Sequence, residues 1–229
     1  MPLTPVDIRY LVPQFFQLSK STFVKGMQCA KYLYLNKYKP KERSPRSAAT
    51  LQKFSEGKSF EAIFKHGFPQ GIDVAQTLGR DVYTMGASYT EALLREPRPI
   101  TLFEACFIHR QTLVMTDVLL QNEDHTYTIY EIKNSKELKE VFLWDLSLQY
   151  FVCKAALPGS IQFNIVLNDG DNGYYIKDLT ELLQAREEEV SESISRFLDT
   201  LHQDKTPKIK MGAQCDVPYE CEFKAYCSR

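Results

Sequence analysis

Three adjoining segments decide how this chain reads: Leu113-Val114-Met115-Thr116-Asp117-Val118-Leu119-Leu120, Gln121-Asn122-Glu123-Asp124-His125-Thr126 and Tyr127-Thr128-Ile129-Tyr130-Glu131-Ile132-Lys133. Two runs rich in β-branched and apolar residues, joined by a polar hexapeptide, predict a β-hairpin. With Asp124 at its tip, Asp117 and Glu131 each stand seven residues away and face each other across the strands. Opposed residues on one face lie roughly 5 Å apart, which lets two carboxylates grip one hard cation. Lys133, two residues past Glu131, projects from the same face. Charges set among Val, Ile and Leu are costly unless a metal or substrate meets them. The competing reading is the solvated edge of a half-buried sheet.

Outward from the hairpin, 229 residues with 44% hydrophobic and 25% charged content suit one globular domain with elaborations. No apolar run approaches the roughly 20 residues of a membrane span. Met1-Pro2-Leu3-Thr4-Pro5 lacks a charged-then-apolar leader pattern, so a cytoplasmic chain with no membrane partner is expected. The net charge of −1 hides an asymmetry: ten basic residues against Glu42 and Glu56 between Lys20 and Lys58 give that segment +8 and leave −9 for the rest. Lys20, Lys25, Lys37, Lys39, Arg43 and Arg46 there form either a polyanion footprint or a solvated helix face.

Residues 1–17, with Pro2, Pro5 and Pro13, read as a loosely attached arm. A helix is expected from about Leu18 to Tyr38, capped by Ser19 or Ser21, with Phe23, Met27, Ala30 and Tyr34 on its core face and Cys29 inside it. Further helices are expected over 47–65, anchored by Phe54, Phe60 and Phe64, and over 80–95. After Pro97 and Pro99 come strands over 100–108, the hairpin, a helix over 138–157, strands over 161–167 and 173–176, and a long charged helix over 178–203. Short turns make the first three strands antiparallel; the helical crossover makes the Glu131 and Ile161 strands parallel. The fold class is therefore α/β, with a mixed central sheet flanked by helices.

Cleavage of a phosphodiester with Mg²⁺ or Mn²⁺ asks for oxygen ligands. Asp117 and Glu131 supply two, the carbonyl of Ile132 a third, and Glu61 completes the acidic pocket from the preceding helix. Lys133 orients water or offsets charge on the phosphorane. Gln149 and Tyr150 hold the scissile strand or orient Lys133. Glu104 is either a third carboxylate or an ion-pair partner at the rim, and Asp145 either caps the site or is solvated.

Asp117, Glu131-Ile132-Lys133 and Gln149, in that order with those elements between them, resemble the PD-(D/E)XK nuclease superfamily. The RecB-like branch, which includes the AddB nuclease domain and CRISPR-associated exonucleases, is the most similar. Gly57-x-x-x-Glu61 fits the branch's acidic helix. Thr116 replaces the proline of the family name, and Cys153 stands where the branch usually has Tyr after its Gln. The resemblance implies a restriction-endonuclease-like core in a single nuclease domain over 1–229: an arm (1–17), a helical part (18–98), a core sheet (99–177) and a C-terminal helix with a cysteine staple (178–229). It also implies DNA as partner and points to exonuclease action on a single strand. Any helicase, repair or defence partner would be a separate chain.

Six cysteines in a cytosolic chain argue for metal or catalysis before disulfides. Cys215, Cys221 and Cys227 are evenly spaced at the end, and Cys29 lies near the start. One N-terminal and three C-terminal cysteines resemble the iron–sulfur staple of the same nucleases and imply a [4Fe–4S] cluster. The wider spacing here leaves a Cys₄ zinc site as the alternative. Leu18-Ser19-Lys20-Ser21 and Pro218-Tyr219-Glu220-Cys221 through Tyr226-Cys227 also fit a bacterial family with LSKS…C and C…PYEC.F..YC motifs. Cys106 and Cys153 read as plain buried thiols. The contrasting functional reading is a binding module that keeps the scaffold without chemistry.

Overall fold

A computed structural model describes residues 6–96, 98–170 and 173–229, with the backbone alone at Ala49. Met1 to Pro5 of the expected arm, and Pro97, lie outside the described residues. The hairpin organises the rest. Strands β3 (Ile100–His109), β4 (Thr112–Gln121) and β5 (Tyr127–Lys133) form an antiparallel meander, and β6 (Ile161–Asn168) runs parallel to β5. Two-residue β2 (Ile72–Asp73) and five-residue β7 (Tyr174–Asp178) close the edges in the order β2-β3-β4-β5-β6-β7. β1 (Leu18–Ser19) pairs in parallel with Thr112 and Leu113 at the start of β4.

Alternation along the strands sorts the two faces. Val118, Ile132 and Val166 pack with Phe60 and Phe64 of helix α3 (Ala48–Lys65). Leu119, Ile129, Phe163 and Ile165 face the larger core, built with helices α5 (Val82–Leu94), α6 (Glu140–Ala156) and α8 (Glu187–His202). In α8, Val190, Ile194, Phe197 and Leu201 recur at helical spacing and are buried, while Glu187, Glu188 and Glu189 favour its positive end.

Several expected elements differ. The helix expected over 18–38 is two, α1 (Lys20–Gln28) and α2 (Ala30–Tyr38), because Cys29 adopts extended backbone (φ −162°, ψ 110°) between them. The break shifts the phase: Tyr32, Leu33 and Leu35 are buried and Tyr34 only half so. Ser19 caps α1 in a capping box with Thr22. The charged helix over 178–203 is also two, α7 (Thr180–Gln184) and α8, parted where Arg186 turns to pair with Glu140 and Glu189. Helix α4 (Val74–Leu78), capped by Asp73, and α9 (Lys224–Cys227) were not foreseen. The described part of the arm is tied down: Gln14 N–H donates to Thr84 O at 2.8 Å and Ser88 Oγ to Val12 O. Phe54, expected as an anchor, is 50% exposed.

Candidate active site and cysteine centre

The site lies where β4 and β5 part. Their ladder runs from Gln121↔Tyr127 to Val118↔Tyr130 and stops one position short of Asp117 and Glu131. From there Asp117 takes over: its Oδ2 accepts the Ile132 N–H at 2.7 Å, standing in for a ladder bond. The same register sets a third acid opposite Asp117. β3 pairs Phe103 with Val118 and Ala105 with Thr116, leaving Glu104 and Asp117 between. Glu104 has φ 51°, a left-handed conformation that costs a non-glycine residue about 1–3 kcal/mol and marks a functional or over-determined position. One carboxylate oxygen each from Glu61, Glu104 and Asp117 lies within 4.8 Å of the others.

On the other side of Asp117 stand lysines. Glu131 is 1% exposed, and its Oε1 accepts from Lys133 Nζ at 2.7 Å and Lys20 Nζ at 2.8 Å. Its Oε2 is buried with no partner among the described residues. Lys133 also donates to Asp145 Oδ2 at 2.5 Å, and Gln149 Nε2 to Asp145 Oδ1 at 3.4 Å. Lys65 bridges Glu61 and, at 2.9 Å, Glu104. Five carboxylates thus face three lysines, an excess of two negative charges when all are ionised. Asp117 alone of the five has no lysine within 4.0 Å among the described residues.

Proton affinities follow from this layout. Burial opposes ionisation of Glu131, but Lys133 and Lys20 overcome it and hold the carboxyl at about 2. Burial and then the Glu131 charge push Asp117 well above the usual carboxylate range, more than Lys20 and Lys133 offset. Desolvation works against the Lys133 ammonium, yet Asp145 and Glu131 leave it firmly protonated.

The expected site residues are placed unevenly. Asp117, Glu131 and Lys133 come together, with Glu61 beside Asp117. The Glu131 carboxylate faces lysines, not the Glu61–Asp117 cluster, and Ile132 contributes its N–H. Gln149 is fully buried and touches Asp145, so it positions Lys133 through that carboxylate and does not reach a strand. Tyr150 is a correction: it is 5% exposed and packs edge-on to Phe163 in the core, out of reach of nucleic acid. Lys20 is also reassigned, because its ammonium lies on Glu131 and on Met115 O at 3.3 Å. Lys37 spends its charge on Leu201 O at 2.9 Å, whereas Lys39 is exposed. Asp145 and Lys65 belong to the site. An acid within the apolar run of α6 was the available signal for Asp145; Lys65, four residues after Glu61, gave none beyond its spacing.

Cys29, Cys215, Cys221 and Cys227 line one cavity, with Lys31, Lys210 and Lys224 on its wall. All are free thiols, and no three of their sulfurs lie within 4.8 Å of one another. Gln28 Nε2 ties α1 to the tail, donating to Gln214 O at 2.7 Å and Tyr219 O at 2.6 Å. Cys106 and Cys153 are buried in the main core, where burial raises both thiols.

No family model matches the chain, and no curated protein does. No helix among the described residues is long and apolar enough to cross a membrane.

Proposed function

We propose that the protein is a divalent-metal-dependent nuclease of the RecB-like PD-(D/E)XK type, hydrolysing phosphodiester bonds of DNA on a restriction-endonuclease-like core. One observation carries this: three carboxylates, of Glu61, Glu104 and Asp117, gather within reach of one ion with only Lys65 paired among them, next to a lysine clamped by two further carboxylates. The donor set fits Mg²⁺ or Mn²⁺, which prefer oxygen ligands. Asp117, Glu61 and Glu104 would hold the ion. When bound, it supplies Lewis acidity to the phosphodiester and to water. Lys133 keeps its proton because Glu131 and Asp145 flank it, so it acts as a fixed donor to charge building on phosphoryl oxygen. Glu131, held ionised by two lysines, stays an acceptor throughout.

The four cysteines line one cavity and would hold a [4Fe–4S] cluster, with a Cys₄ zinc site as the alternative. Four thiolates on one zinc at about 2.3 Å stand only about 3.8 Å apart. In a cuboidal cluster each thiolate bonds a different iron, and no three of these sulfurs lie within 4.8 Å of one another. Single-stranded DNA cut from an end, with any motor on another chain, remains the reading of substrate.

The test is cleavage of labelled single- and double-stranded DNA with Mg²⁺ or Mn²⁺, with and without chelator. Asp117→Ala should lose roughly a thousandfold or more in rate while still unfolding cooperatively. Salt-dependent binding without turnover by freshly purified, metal-loaded protein would instead identify a binding module and sink the nuclease reading.

A further inference from the structure

The cysteine tail brings a second structure to the edge of the site. Glu222, next to Cys221, gathers three cations from the N-terminal half: Arg43 at 2.9 Å, Lys25 at 3.4 Å and Arg46 at 3.9 Å. Three positive charges on one carboxylate leave a surplus of two. Each end of this rail carries an aromatic ring. Lys25 lies 5.2 Å from the ring of Tyr219, and the guanidinium of Arg46 lies 5.2 Å from the ring of Phe54. Tyr219 is 43% exposed and Phe54 50%, so both residues are partly open to solvent.

Each end shares a helix with a residue that contacts the strands of the acid site. Lys25 follows Lys20 by five residues on α1, about 7.5 Å along the axis, and Lys20 is bonded to Glu131. At the other end, Asn134, immediately after Lys133, donates to Glu56 O in the same helix as Phe54. A cationic track with open aromatic faces suits an unpaired polynucleotide, because phosphates follow the charges and every base offers a face to stack. A duplex hides its base faces and gains only from the charges.

Resting on the nuclease reading, we propose that Tyr219 and Phe54 are base-stacking platforms at the two ends of a cationic rail built on Glu222. The rail guides one unpaired strand, DNA or RNA, past the acid cluster.

Affinity is read by fluorescence anisotropy in chelator, where no strand is cut, using a DNA oligonucleotide, its RNA counterpart and a blunt DNA duplex. Tyr219→Ala and Phe54→Ala should each weaken single-strand binding on the order of tenfold and leave duplex binding unchanged, while Tyr219→Trp restores it. The DNA and RNA arms show which sugar the rail accepts. Phe54 lies off the tail, so Phe54→Ala probes the rail without touching the cysteine centre. Unchanged single-strand affinity there, in a protein that still binds and cuts DNA, overturns the rail and leaves the nuclease reading standing. If the unaltered protein neither binds nor cuts any strand, both fall.

Discussion

The acid cluster and the cysteine tail are put together in opposite ways. Glu104, Asp117, Glu131 and Lys133 ride on central strands, and Asp145 on a helix sunk in the main core. Ladder and packing hold these groups near one another with no help from a ligand. The cysteines sit on a joint between two helices and on a tail whose regular structure is two short turns, Ala213–Cys215 and Lys224–Cys227. The tail's packing cluster centres on Phe223 with Tyr32 and Leu35. A site displayed by a sheet outlasts the loss of an ion, whereas a tail this thin would need the proposed metal centre to finish folding.

The largest effect should come from Cys221→Ala. Losing a metal centre removes on the order of 10 kcal/mol of binding energy that doubles as folding energy. The variant should be colourless, clipped by protease beyond α8 and weakened in DNA binding, while its sheet still melts cooperatively near the parent's temperature. A sheet that unfolds together with the tail would erase the contrast.

A smaller effect, on the order of 1 kcal/mol, should appear in the metal-free protein on the acid side. Asp117 binds its proton more tightly folded than unfolded, so its contribution to stability is present at low pH and lost as pH rises through its raised value. Glu131 has the opposite sign: its contribution is complete above the ordinary carboxylate range and lost as pH falls toward about 2. Above the ordinary carboxylate range the melting temperature of the metal-free protein should therefore decline as pH rises, and the decline should flatten in Asp117→Asn. An identical slope in both proteins would show that Asp117 is not the strained acid. The smallest effect is expected from Cys153→Ala, which empties little volume in a core of larger side chains and should cost about 1 kcal/mol or less with colour intact. Bleaching in that variant would move the metal centre away from the tail.

How much was legible follows the same divide. The hairpin was readable because alternation and a polar turn are local, and the position of Asp124 fixes which residues oppose each other. The parallel β5–β6 pair followed from the length of α6. The break at Cys29 was not readable, since neither Gly nor Pro marks it. The extended backbone there goes with tertiary features: Gly26, where a Cβ would meet Leu33 and Phe197 at 2.9 Å, and the Gln28 bonds to the tail. Tyr150 was misplaced because an aromatic beside Gln149 looks alike in sequence whether it turns to core or cleft. Lys20 read as part of a charge run, and only the fold shows it entering beside Met115. The left-handed Glu104 lies in an ordinary strand sequence and has no local signature.

Cys29 ends α1, and Lys20 begins it. One rigid rod of nine residues therefore has a proposed sulfur ligand at its tail end and a contact to Glu131 at the other. Whatever fixes the rod's angle from one end is felt at the other, so loading of the proposed cluster and binding of the proposed cation would share a coupling free energy. Linkage makes that coupling reciprocal: the factor by which the loaded cluster changes Mg²⁺ affinity is the factor by which Mg²⁺ changes the hold on the cluster. An oxidant that strips the tail would then detune the acid site without touching a single carboxylate.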